Sequence, residues 1–267
     1  MIHPLFDLSG RVALVTGAAR GLGRAIATAF AEVGANLLVT DINAEGLQTT
    51  ANDIEKLGVR VIPMAGDITS VDFIRSMYTT LDAEFHKIDV LANVAGPTKR
   101  GDPELLEPEQ LAMIIHGLVV ARFCSCQEAG RRMLAVGKGS IINICSIGGV
   151  TALGRGNFAY GVSMGGVAQM TRELSTEWSS RGVRVNAILP AQIINPGLEA
   201  RMREVPDMAE TFLRGIPMGR LGQPDDIKGM AIFLASDASA WVTGALMPVD
   251  GGNLALNAGG SIGGSMK

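Results

Sequence analysis

Cysteine and surplus charge are both scarce in this chain, and each shortage removes a class of protein. Three cysteines among 267 residues, Cys124, Cys126 and Cys145, cannot build a disulfide framework, and Cys124-x-Cys126 has neither the spacing nor the partners of a zinc site. No metal centre is expected, and the setting expected is reducing and cytoplasmic. Lys and Arg number 23 against 26 Asp and Glu, a net charge of −3, so there is no basic surplus for nucleic acid or an anionic bilayer. No stretch approaches the roughly 18 uninterrupted apolar residues of a membrane span; the richest, from Leu111 to Phe123, is broken by His116 and Arg122. The first seven residues show neither the basic start nor the apolar run of a signal peptide. Neither nucleic acid nor membrane is expected as a partner.

What is present is apolar: 47 % of residues are hydrophobic and 18 % charged, enough for one large α/β domain. Short apolar runs at 12–16, 36–40, 60–64, 90–93, 140–144, 183–189 and 246–249 suit strands buried on both faces. Between them lie helical periodicities at about 22–33, 44–57, 71–86, 108–136, 158–180 and 224–236. This alternation predicts a doubly wound, parallel, seven-stranded sheet with helices on both faces. The domain is expected to fill residues 1–252, with 253–267 a flexible glycine-rich tail. Residues 110–124 are apolar on more than one face, which predicts a helix buried all round, in the core or against another subunit.

Directly after the first strand stands Thr16-Gly17-Ala18-Ala19-Arg20-Gly21-Leu22-Gly23. Glycines there let the backbone turn tightly and approach a pyrophosphate, and the following helix offers it unpaired N–H groups and a positive dipole end. The second strand leads into Asp41. A carboxylate there suits the ribose hydroxyls of NAD and repels the 2′-phosphate of NADP; the plainer reading is a helix N-cap. Arg20 is read as a phosphate-side or structural residue.

These features resemble the short-chain dehydrogenase/reductase family over nearly the whole chain. The motifs carrying the resemblance are Thr16-Gly17-x-x-x-Gly21-x-Gly23, Gly66-Asp67-Ile68, Asn93-Val94-Ala95-Gly96, Ile142 to Ser146, Phe158-Ala159-Tyr160, Asn186 to Pro190 and Val249-Asp250-Gly251-Gly252. The resemblance implies a single-domain Rossmann fold, a substrate lid at 192–216 and NAD as cofactor. Gly17, Arg20, Gly21, Leu22, Gly23 and Asp41 would meet its phosphates and adenosine ribose, Asp67 and Ile68 its adenine. Asn93, Ala95, Gly96, Tyr160, Pro190, Ile193 and Asn195 would complete the cofactor site. It implies hydride transfer between nicotinamide and a secondary alcohol or carbonyl, with Tyr160 passing the proton and Ser146 holding the substrate oxygen. A homo-oligomer, with a tetramer favoured, is implied as well.

Two positions depart from the pattern. A lysine belongs four residues after the tyrosine, where this chain has Met164, and an asparagine belongs where the best register places Leu118. A thioether carries no charge and donates no hydrogen bond. A unit charge about 5 Å away at an effective dielectric near 20 is worth roughly 3 kcal/mol, or about two pKa units on the tyrosine. Slow turnover is therefore expected unless another group replaces the lysine, with His116 and Arg155 as candidates. Lys99, Arg100 and Arg155 are either solvated or meet an acidic substrate. Met202, Val205, Met208, Phe212 and Leu213 offer the lid an apolar inner face. Three functions stay open: an NAD-dependent dehydrogenase, an NAD-binding protein without turnover, and a lyase or isomerase reusing Ser146 and Tyr160.

Overall fold

The structure, a computed structural model, describes residues 2–256. Seven parallel strands lie in the order β3-β2-β1-β4-β5-β6-β7: β1 Val12–Thr16, β2 Asn36–Asp41, β3 Val61–Ala65, β4 Val90–Asn93, β5 Gly139–Ile144, β6 Val183–Pro190 and β7 Leu246–Val249. Each expected run is a strand. β3 starts one residue late: the Arg60 amide donates to the Asn36 side chain (2.8 Å) and not to a ladder carbonyl. A proline stands in each edge strand, Pro63 in β3 and Pro248 in β7. Within a sheet a residue that cannot donate to the ladder is best tolerated at an edge, where it also discourages pairing with another sheet.

The helices divide between the two faces. α1 Gly21–Glu32, α2 Ala44–Glu55 and α9 Lys228–Ala235 cover one, through Ile26, Phe30, Leu47, Ile54 and Leu234. α3 Val71–Phe85, α5 Ala121–Val136 and α6 Phe158–Trp178 cover the other, through Ile74, Leu81, Ala129, Met133 and Leu174. Burying the sheet on both sides is what makes its strands read as continuous apolar runs.

Residues 108–136 form one helical run: α4 Pro108–Ile115, a π-turn His116–Val120, and α5. By length and composition it would cross a membrane, but it carries Arg122 and Glu128 and packs on the sheet. It is not buried all round within this chain. Ile114, Leu118, Ala121 and Cys124 face inward, while Met113 is 61 % exposed and Val120 and Phe123 also face outward. A helix lying on one sheet can cover only the stripe that touches it.

The crevice opens where the strand order reverses, between the carboxyl ends of β1 and β4, the expected place for a ligand in an open α/β sheet. One hydroxyl ties its floor together: Thr16 Oγ1 accepts from the amides of Val94 (2.9 Å) and Ala95 (3.1 Å). At the other end of the chain, residues 253–256 are a turn, not a free tail. The Leu254 amide donates to Asp250 (2.8 Å) and Asn253 Nδ2 to the Gly215 carbonyl (2.6 Å). The remainder of the expected tail, 257–267, lies outside the described residues.

Candidate active site

The first element of the site is a cradle of backbone. Gly17 (φ 72°) and Gly21 (φ 56°) hold left-handed conformations that side chains disfavour. Gly23 is required by space: a Cβ there would lie 2.0 Å from the Gly17 carbonyl oxygen. α1 begins after Arg20 with no side-chain cap and no acid in its first turn. Its leading N–H groups are thus left for an anion, with the dipole favouring negative charge. The residues present fit a dinucleotide pyrophosphate. Leu22 lines the cleft just beyond.

Asp41 is not the cap of α2. Asn43 takes that place, accepting from the Gly46 amide (3.1 Å). Asp41 instead accepts from the Ala19 amide (3.0 Å) and the Asn43 amide (2.9 Å), which locks the carboxylate to the phosphate loop at the rim of the crevice. Asp67 orders its own turn by accepting from the Thr69 amide (2.8 Å). Ile68 lies beneath the floor, in a small cavity shared with Thr16, Asn93 and Ala95. The Asn93 amide is engaged under the sheet, donating to Asn143 (3.1 Å), and its side chain does not enter the cleft. Gly96 does line it, with a Leu118 methyl pressed against its α-carbon face.

Beyond the cradle a cleft of about 540 Å³ holds Ser146, Tyr160, Met164 and Leu118 together. Ser146 follows β5, and its Oγ accepts from the Gly148 amide (3.0 Å), leaving its own O–H to donate. Tyr160 comes from the first turn of α6. Burial pushes its phenol above the ordinary value of 10.0, while the Ser146 hydroxyl and the Arg122 charge pull it back down. Met164, one turn later, is 1 % exposed and uncharged. Pro190, Ile193 and Asn195 also line the cleft. The Asn195 amide is already engaged, its oxygen capping α7 Pro196–Glu204 at the Leu198 amide (3.0 Å) and its nitrogen on the Ile193 carbonyl (3.1 Å). The Ile193 amide donates to Ala191 (3.0 Å).

Of the two candidates for replacing the lysine charge, His116 stands away from the cleft, exposed, with Nε2 at 3.0 Å from the Thr69 carbonyl oxygen. Arg155 does line it. Held at φ 57° between left-handed Gly154 and Gly156, it stacks on the Phe212 ring at 4.8 Å. That contact joins the glycine loop to α8 Met208–Leu213, within the segment 192–216 expected as a lid. Of the lid's expected apolar face, Phe212 is buried but Val205 is exposed, and Ile216 takes the inward position instead. The residue that sequence reasoning missed is Arg122, 3 % exposed in the cleft wall. In the sequence it reads only as an interruption of an apolar run. Four arginines line the cleft, Arg100, Arg122, Arg155 and Arg201, and no carboxylate among the described lining residues opposes them.

Comparison with known proteins agrees with this geometry. A family model described as enoyl-(acyl carrier protein) reductase matches residues 17–253. D-threitol dehydrogenase of Mycolicibacterium smegmatis is 37 % identical over 92 % of this chain and 94 % of its own. A short-chain type dehydrogenase/reductase from Mycobacterium marinum superposes with a TM-score of 0.88 at 31 % identity, covering 93 % of this chain and 97 % of that one. A gluconate 5-dehydrogenase from Burkholderia cenocepacia, solved in complex with NADP and tartrate, gives 0.89 at 31 % identity over 95 % and 99 %. Both the matched length and the shared architecture place this chain in the short-chain dehydrogenase/reductase family, as an oxidoreductase.

Proposed function

We propose that the chain is an NAD-dependent dehydrogenase of small anionic polyhydroxy compounds of the sugar-acid type. One observation carries the substrate class: the four arginines of the cleft face no carboxylate among the described residues. Arg100, Arg155 and Arg201 are open to the cleft and to solvent, Arg122 alone being buried, and a substrate carboxylate is the partner that suits their charge. The relative that binds tartrate supports the same chemistry. Bound nicotinamide would take or supply the hydride. Ser146 would donate to the substrate oxygen, and Tyr160 would accept the hydroxyl proton on oxidation and return it on reduction. The lyase and isomerase reading loses ground to the dehydrogenase relatives. NAD binding without turnover is favoured by Met164, and a protein stabilised by NAD yet inert toward sugar acids and neutral polyols alike would decide for it.

The nucleotide choice rests on Asp41. Asp41→Asn keeps an oxygen for the loop amide but removes the charge that repels a 2′-phosphate. The ratio of NADP to NAD affinity is expected to rise about tenfold, equivalent to about 1.4 kcal/mol, as read by thermal shift against each nucleotide. An unchanged ratio would count against NAD. For the substrate, Arg155→Ala is expected to raise KM for sugar acids roughly tenfold, the scale of one charged hydrogen bond, and to leave neutral polyols unaffected. Equal losses on both would remove the anionic reading.

Because burial holds Tyr160 protonated at neutral pH, oxidation should be slow there. kcat/KM should climb about tenfold per pH unit up to the phenol's own ionisation; a profile flat from pH 7 to 9 would contradict this. The reading also includes a homotetramer, formed through the outward apolar residues of α5 and α6, Phe123, Phe158 and Val162, and checked by light scattering. The three free, buried cysteines suit a reducing, cytoplasmic setting.

A further inference from the structure

Arg122 is a deeply buried cation in the cleft wall with no acid among the described lining residues to answer it. Nη1 donates to the Ile144 carbonyl (2.6 Å) and Nη2 to the Ala95 carbonyl (3.0 Å), while the buried Nε has no partner. Two neutral carbonyls fix the plane of the guanidinium but leave its charge intact. Glu128, the sole acid on α5, is taken by Arg131 and Arg132. A buried charge without a counter-ion is costly to a fold, and such a group in a cleft is a candidate for function.

The groups that face it indicate the use. Tyr160 on α6 and Cys145, just after β5, line the same cleft, Cys126 stands one turn on along its own helix, and all three feel the charge. Cys126 contacts Asn93 and Asn143 beneath the sheet, and the Cys145 thiol donates to the Met164 carbonyl (3.2 Å). Tyr160 is left as the hydroxyl in the cleft that feels the charge. The ionisable groups acting on Tyr160 in turn are Arg122 from α5 and Cys145 from β5. Arg100, Arg155 and Arg201 line the same cleft from its loops and α7, but of the four only Arg122 is buried. Position 164, one turn after Tyr160, brings a buried thioether, and position 118, one turn before Arg122, an isobutyl group.

We propose that Arg122, as a positioning residue, supplies from α5 the positive charge that Met164 does not supply from α6, and so steadies the ionised oxygen of Tyr160 during proton transfer. On oxidation the Tyr160 oxygen would take the hydroxyl proton, and a bound nicotinamide would accept the hydride that the carbinol carbon gives up. The alcohol becomes a carbonyl, and the proton passes from Tyr160 to solvent. Arg122 exchanges nothing; it lowers the energy of the state in which Tyr160 is charged. The inference rests on Tyr160 as proton carrier, and not on the substrate or on which nucleotide binds.

The chain offers a direct test, because it has only two tyrosines. The other, Tyr78, is fully buried with its hydroxyl on the Ser125 carbonyl (2.8 Å), and burial holds its phenol far above the ordinary range. Biosynthetic 3-fluorotyrosine, a more acidic phenol, gives two fluorine resonances that Tyr160→Phe assigns. Neither substrate nor nucleotide is needed. Arg122→Gln keeps N–H donors for the carbonyls but loses the charge, and should raise the Tyr160 midpoint by about one to two pH units. Arg122→Met, a second uncharged variant, should do the same. Arg122→Lys should stay near the wild type, and Met164→Lys added to Arg122→Gln should bring the midpoint back. If both uncharged variants, or the one that folds, titrate with the wild type, the inference is overturned; a purely structural Arg122 would change the melting temperature and nothing else. A wrong substrate class would leave this titration untouched.

Discussion

Replacing Tyr160 with phenylalanine is expected to lower kcat about a thousandfold while NAD affinity changes by less than about tenfold. The ring stays in the first turn of α6 and keeps its packing against the buried side of the cleft, so the fold is not at stake. What leaves is the proton acceptor, and positioned general acid–base groups are worth about 10²–10⁴ in rate. No neighbour can stand in. The Cys145 thiol is held on the Met164 carbonyl and raised by burial, and the Ser146 oxygen is ordinarily far too weak an acid to carry the proton alone. Steady-state NADH absorbance with a sugar acid measures the loss. A fall smaller than tenfold would mean that the proton travels by another route.

Gly23→Ala is expected to abolish the rise in melting temperature produced by NAD. A Cβ at this position would sit 2.0 Å from the Gly17 oxygen and 2.4 Å from its carbonyl carbon. Both are backbone, so neither can swing aside as the end of a side chain would. The start of α1 must then move away from the loop, and the N–H groups that converge on the phosphates diverge. Overpacking of this kind costs about 1–3 kcal/mol, which for a chain of this size lowers the melting temperature by roughly 3–10 °C. NAD affinity should fall by at least about a hundredfold. Gly21→Ala meets no such protein clash: its Cβ would find nothing within 4 Å, and only its φ of 56° is strained, at about 1–2 kcal/mol. Should Gly23→Ala bind NAD within about threefold of the wild type, the cradle lies elsewhere.

The strands were legible because each is buried on both faces and leaves a dense apolar run, as in β1 with all five residues buried. The cradle was legible because its glycines answer to local geometry. Three-dimensional facts were harder to see. Asp41 could be read as a helix cap until Asn43 was found in that position with its own side chain on Gly46. Asn93 sits in a motif at the mouth of the site, yet β4 alternation turns its amide beneath the sheet toward Asn143. Arg122 was passed over because a basic residue within a helix is ordinarily a solvated one. Only the meeting of α5 with the ends of β4 and β5, at carbonyls 27 and 22 residues distant in sequence, reveals it as buried. The missing charge at 164 was visible; where a replacement would come from was not.

The bridge that Thr16 makes to Val94 and Ala95 has a mechanical result. The two halves of the sheet are stapled at the point where they diverge, which stiffens the floor of the crevice against splaying.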